Sequence, residues 1–155
     1  LPLLLLLLVA STAVTAAGLV DPVTGERHKI EVGAPVLHLV FFATWCPDCV
    51  EELDALAELD ARWSGQGYQV ILVAVKNRHT VDRLSEFLDG RELPMKLLWD
   101  EDGSIADRFK AKSIPTHVLL DAKGGEIARS SNLDDEIREV VASTVDKRRR
   151  PRGRH

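Results

Sequence analysis

The sequence predicts an α/β domain built on a central mixed β-sheet flanked by helices. Three observations carry this reading. Val36 to Ala43 (VLHLVFFA) is a near-continuous apolar run of strand length, as expected for a strand covered on both faces. Strand-like and helix-like segments then alternate, which implies parallel strands joined by right-handed crossovers. Near the end, His117 to Leu120 and Glu126 to Ala128 are separated by Asp121-Ala122-Lys123-Gly124-Gly125, the spacing of a β-hairpin and so of antiparallel pairing.

Each element follows in order. After Cys49, the residues Leu53, Leu56, Leu59 and Trp63 recur on one helical stripe, and Gly65 and Gly67 end that helix. Tyr68 to Val75 (YQVILVAV) is a second buried strand. A helix from about Thr80 puts Val81, Leu84, Phe87 and Leu88 on a common face. Gly90 to Pro94 breaks the chain before a short strand, Met95 to Trp99, which is closed by the turn residues Asp100 to Gly103. Ser104 to Lys110 is a short helix, Ser113 to Thr116 leads into the hairpin, and a closing helix runs from Asp134 to about Asp146. Its inward residues are Ile137, Val140, Val141 and Thr144, with Leu133 at the entry.

The 155 residues are 45% apolar and 28% charged, enough for one ordinary core. Only 2 cysteines are present, which excludes a disulfide-stapled scaffold and a four-cysteine zinc site. The net charge of -4 conceals an uneven distribution. Lys147, Arg148, Arg149, Arg150, Arg152 and Arg154 belong to one terminal block, so the remaining 14 basic side chains face 24 acidic ones. An acidic body excludes a nucleic-acid groove in the folded part.

Both ends read as lying outside the domain, which is assigned to residues 21–146. Residues 1–20 carry no charge, and a leucine-rich run gives way to small residues around Val14-Thr15-Ala16. This is the order of a cleaved export signal; an uncleaved membrane anchor through residues 1–20 is the alternative. Either one places the domain in an extracytoplasmic compartment. Residues 147–155 (KRRRPRGRH) read as a solvated basic tail, with attraction to anionic lipid as the functional alternative.

The chemistry centres on Cys46-Pro47-Asp48-Cys49, placed where a buried strand turns into a helix. Cys46 falls at the helix N-terminus, where unpaired amides and the dipole stabilise a thiolate, so it is the expected nucleophile. Cys49, one turn further in, is placed to resolve the mixed disulfide. A purely structural bridge would close so small a loop that it gains roughly 2 kcal/mol on a chain-entropy model. Asp48 puts negative charge beside Cys46, which favours a reducing pair. Glu52 lies three residues after Cys49 on nearly the same face, where it would serve as acceptor for the Cys49 proton; the alternative is a boundary glutamate turned to water.

Phe42-Ala43-Thr44-Trp45-Cys46-Pro47-Asp48-Cys49, followed by Ile114-Pro115-Thr116, resembles the thioredoxin superfamily. The segments Leu98 to Gly103 and Leu119 to Gly124 resemble, more narrowly, the exported TlpA/ResA-like thiol-disulfide reductases. The resemblance spans roughly Val36 to Ala128 and implies a thioredoxin-like fold with no cofactor. It also implies catalytic roles for Cys46, Cys49 and the buried acid Glu52. Pro115 would be the cis-proline beside the disulfide, Ile114 would line the partner groove and Trp45 would shield the site, with Pro47 and Thr116 completing the partner surface. Two departures are visible: Asp54 stands where those reductases usually carry the proline that kinks the helix, and Ile114 stands where many carry threonine.

The resulting expectation is an enzyme that reduces disulfides in exported proteins, cytochrome c maturation included, and is recharged by a membrane thiol electron donor. A competing class is a soft-metal protein that holds copper between the Cys46 and Cys49 thiolates, with His38, His79 and His117 as further ligands. A redox-silent interaction module is a third, although it gives no use to the paired cysteines.

Overall fold

The computed structural model describes residues 18–149. Seven strands form one sheet in the order β2-β1-β5-β4-β3-β6-β7. Their ranges are Leu19–Val20 (β1), Arg27–His28 (β2), Val36–Phe42 (β3), Tyr68–Ala74 (β4), Lys96–Trp99 (β5), Thr116–Asp121 (β6) and Glu126–Ser130 (β7). Strands β3, β4 and β5 run parallel, whereas β6 pairs antiparallel with β3, and β7 with β6. The sheet is therefore mixed for the reason the sequence suggests: crossover helices join the parallel strands and a tight turn joins the last two.

Every residue of β3 is buried, and successive side chains enter two different cores. Val36, Val40 and Phe42 pack with Leu53, Leu56, Leu59, Leu84, Ile137, Val141 and Val145 from the helices on one face. Leu37, Leu39 and Phe41 pack on the other with Leu19, Leu98 and Ile105. The helices are α1 (Pro47–Glu51), α2 (Leu53–Trp63), α3 (Val81–Leu88), α4 (Ser104–Arg108) and α5 (Asp135–Arg149). Thr80 caps α3 by accepting the Arg83 amide at 3.2 Å. Buried Asp100 accepts the amides of Ile105 and Ala106 at 3.1 and 2.8 Å, satisfying donors at the head of α4 that would otherwise be orphaned.

Four expectations need correction. The folded domain does not begin at Asp21, since Leu19 is fully buried and Val20 pairs with Trp99 of β5. The apolar character of those two residues serves the core, and it merges by composition with the run before it. Residues 1–17, to which the signal and anchor readings chiefly refer, lie outside the described residues. At the other end α5 continues through Lys147 and Arg148 to Arg149, because basic side chains in a last turn favour the helix dipole; the rest of the basic block lies outside the described residues. Within the helices, Val81 is exposed, as the first residue of α3, and Val145 rather than Thr144 completes the inward row of α5 at intervals of four. Among the described residues no helix is long and apolar enough to cross a membrane.

The turn entering β4 depends on Gly67, whose φ of 96° is left-handed and whose missing Cβ would lie 2.5 Å from Pro35 Cγ. Gly67→Ala is therefore expected to destabilise the fold by about 1–3 kcal/mol, combining backbone strain with a clash against a rigid ring. Urea unfolding monitored by tryptophan fluorescence measures this, and an unchanged midpoint contradicts it.

Candidate active site

Strand β3 ends at Phe42, and the next four residues bring the chain to Cys46. Cys46 caps α1 with extended backbone (φ -97°, ψ 108°), and its Sγ accepts the Cys49 amide at 3.3 Å. Pro47 occupies the first helical position, where its missing N–H costs nothing. Cys46 and Cys49 are disulfide-bonded, with Cα atoms 5.3 Å apart. Cys46 is 8% exposed and Cys49 2%, so the expected order of accessibility holds even though both sulfurs are largely covered.

Trp45 stands 45% exposed beside them. Its indole N–H donates to the Asn77 carbonyl, and the Arg78 guanidinium lies 5.1 Å from the ring centroid. The loop before β6 comes to the same place. Ile114–Pro115 is cis, and Trp45 and Ile114 both line a cleft of about 440 Å³ that extends toward Lys76, Asp107 and Lys112. Thr116 differs from its expected role. It is buried, and its hydroxyl donates to the Ser113 carbonyl at 2.6 Å, so it shapes the loop from beneath and offers no partner surface.

Glu52 sits between α1 and α2, where the helix loses regularity without any proline at position 54. Its carboxylate faces inward and meets two partners. One oxygen accepts the Leu133 amide at 2.7 Å, and the other lies 2.8 Å from His117 Nε2. The boundary reading of Glu52 thus gives way to an anchored carboxylate. His117 was legible only as an apolar-strand histidine, because its link to Glu52 depends on how β6 sits against the helix and on no local spacing.

His79, which the sequence offered only as a ligand in the soft-metal alternative, is held beside the site. Its Nδ1–H donates to the Val75 carbonyl at 2.6 Å, and Nε2 accepts the Thr44 amide at 3.1 Å. The ring therefore ties the strand β4 exit to the segment that carries Trp45 and Cys46. With both nitrogens so used, the imidazole must be neutral, and burial holds it below its ordinary pKa despite the favourable bond to Val75. His38 and His117 are likewise engaged, with each other and with Tyr68 and Glu52. Among the described residues no cluster of three or more His, Cys, Asp or Glu is disposed to hold a metal ion.

A strand that delivers a CxxC pair into the first turn of a helix, beside a cis-proline loop, defines a thioredoxin-like dithiol protein. The chain belongs to the AhpC/TSA family, whose family model matches residues 27–129. It is 27% identical over 130 residues to the thiol-disulfide oxidoreductase ResA of Oceanobacillus iheyensis, covering 83% of this chain and 60% of that protein. It is 27% identical over 113 residues to the sporulation thiol-disulfide oxidoreductase A of Bacillus subtilis, covering 72% of this chain and 68% of that one. The chain therefore spans about three fifths to two thirds of the length of these relatives. Among solved structures, the exposed lipoprotein thioredoxin Etrx1 of Streptococcus pneumoniae superposes with a TM-score of 0.68 over 84% of this chain and 97% of that one. At 19% identity this likeness is one of fold.

The histidine anchors give a pH expectation with a definite sign. His38 and His79 are both held below the unfolded value of about 6.5, so the folded state binds fewer protons and their contribution is complete above that pH. Stability should fall as pH drops below about 6.5. His79→Ala should in addition cost about 1–3 kcal/mol by leaving the Thr44 amide unpaired. Denaturant midpoints at pH 7.5 and 5.5 for both proteins test this, and pH-independent midpoints contradict it.

Proposed function

We propose that this chain is a thiol-disulfide oxidoreductase that reduces disulfides in extracytoplasmic proteins. The observation that carries the reading is the Cys46–Cys49 pair itself, closed as a disulfide across the first turn of α1 with the more accessible sulfur at the helix cap. In the reduced protein the Cys46 thiolate attacks a partner disulfide and releases one partner thiol. Cys49 then loses its proton to Glu52 and attacks Cys46 Sγ, the second partner thiol leaves, and the Cys46–Cys49 disulfide remains. Two electrons and two protons from a thiol donor at the membrane restore the dithiol.

The partner's extended segment would lie in the cleft between Trp45 and Ile114, and Pro47, the first residue of α1, is exposed. The uncharged leader-like residues that precede β1 support export or anchoring outside the cytoplasm. Isoleucine at position 114 favours a broad range of disulfide partners over a role confined to cytochrome c maturation. The soft-metal alternative loses support because His38, His79 and His117 already spend their ring nitrogens within the protein.

Cys46→Ala should abolish reductase turnover, whereas Cys49→Ala should retain the first attack and accumulate a mixed disulfide with the partner, visible on non-reducing gels and by mass spectrometry. Mixed disulfides trapped equally by both variants would contradict the assigned roles. Glu52→Gln should lower turnover near pH 7 by roughly 10², with recovery at higher pH as Cys49 ionises unaided. Wild-type turnover by that variant from pH 6 to 9 removes Glu52 from the mechanism.

A further inference from the structure

Behind the dithiol lies a row of polar side chains that the exchange reaction described above does not use. On the sheet face beneath α2 and α5, Tyr68 of β4 is in register with Val36, and His117 of β6 with Val40. Both positions are two residues from His38 on β3, so the three side chains form a diagonal across adjacent strands. Tyr68 Oη is 2.7 Å from His38 Nδ1, His38 Nε2 is 2.9 Å from His117 Nδ1, and His117 Nε2 is 2.8 Å from Glu52 Oε2. Both imidazoles are fully buried and Tyr68 is 2% exposed. A row of this kind is tolerable in a core only if each bond has one donor and one acceptor.

A neutral imidazole donates through one nitrogen and accepts through the other. With Glu52 ionised, His117 donates to it from Nε2, His117 Nδ1 accepts from His38 Nε2–H, and His38 Nδ1 accepts from the Tyr68 hydroxyl. With Glu52 protonated on Oε2, every bond is reversed. Glu52 donates to His117 Nε2, both rings carry their proton on Nδ1, and the Tyr68 oxygen accepts while its own hydrogen turns away. The second arrangement holds one proton more than the first, the one that Cys49 gives up to Glu52, while each histidine stays neutral and changes only which ring nitrogen carries its proton. No mixed arrangement satisfies all three bonds.

We propose that Tyr68, His38 and His117 act as positioning residues for Glu52, and that the tautomers of both histidines reverse together with its protonation. The proposal rests on the reading of Glu52 as acceptor for the Cys49 proton, and it explains how a part-buried carboxylate can change charge while each bond of the row keeps one donor and one acceptor. Burial, with His117 behind it, holds His38 well below the usual imidazole value, and burial holds the Tyr68 hydroxyl well above the usual phenol value. Neither joins the row as an ion. The charged groups facing it are Asp60 of α2 and Arg138 of α5, both near Tyr68, and Asp134, just before α5, near His117.

Nitrogen-15 spectra of the histidine rings in the oxidised protein test this, because protonated and bare ring nitrogens differ widely in shift. Wild type above pH 7.5 should show Nε2–H at both His38 and His117. In Glu52→Gln the Leu133 amide keeps the side-chain oxygen, so the NH₂ group faces His117 and must donate; both rings should then show Nδ1–H. The same tautomers in the two proteins, or reversal of His117 without His38, would overturn the proposal. Tyr68→Phe leaves the reversed arrangement with an unpaired buried N–H. It should slow the resolving step by about tenfold and move the acid limb of the pH profile to lower pH, while the first attack by Cys46 stays unchanged. A Tyr68→Phe profile identical to wild type likewise overturns it. Wild-type turnover by Glu52→Gln would instead remove the acceptor role, whatever the tautomers show.

Discussion

The double-sided burial of β3 is the constraint on which the rest of this molecule depends. A strand with no solvent face must be covered by helices above and below and hydrogen-bonded on both edges, and β4 and β6 supply those edges. The chain leaving its carboxyl end enters α1 directly, so the cysteine pair is held by the most deeply packed element in the sheet. Reactive sulfur chemistry needs a precise approach to a partner disulfide, and a rigid strand end provides it better than a free loop. His38 sits in the same strand, which is why the polar row and the dithiol share one support.

Much of this was legible in the sequence, for identifiable reasons. Strands β3 and β4 are long, apolar and β-branched, α2 has a clear stripe, and the two glycines before Glu126 mark their turn. The CxxC pair announces its chemistry because two residues fix both the helical position and the separation of the sulfurs. What stayed hidden was set by distant register. The alternation of β3 and β6 says only that His38 and His117 each face a core. Which core, and which diagonal neighbour, follows from pairing Val40 with His117, and no local pattern encodes that. The same limit applied to Leu19 and Val20, whose leucine and valine could serve a leader or a strand equally well until His28 appeared as the partner of Leu19 and Trp99 as that of Val20.

Glutamate 52 shows how local and distant effects combine. Its spacing from Cys49 could be read directly, and that spacing identified the residue worth asking about. Its two partners come from β6 and from the entry to α5, which are neighbours only in the folded chain. His79 makes the complementary case near the surface: an imidazole after β4 that fixes the approach to Trp45 by accepting a single backbone amide.

The bond from the Leu133 amide to Glu52 spans 81 positions of sequence. In the order of synthesis the two cysteines are complete long before that amide exists, and before His117 as well. A partly made chain therefore carries the sulfur pair without the groups that anchor the Glu52 carboxylate. The carboxylate reaches its anchored position only when the segment entering the closing helix docks, so that its placement and completion of the fold go together.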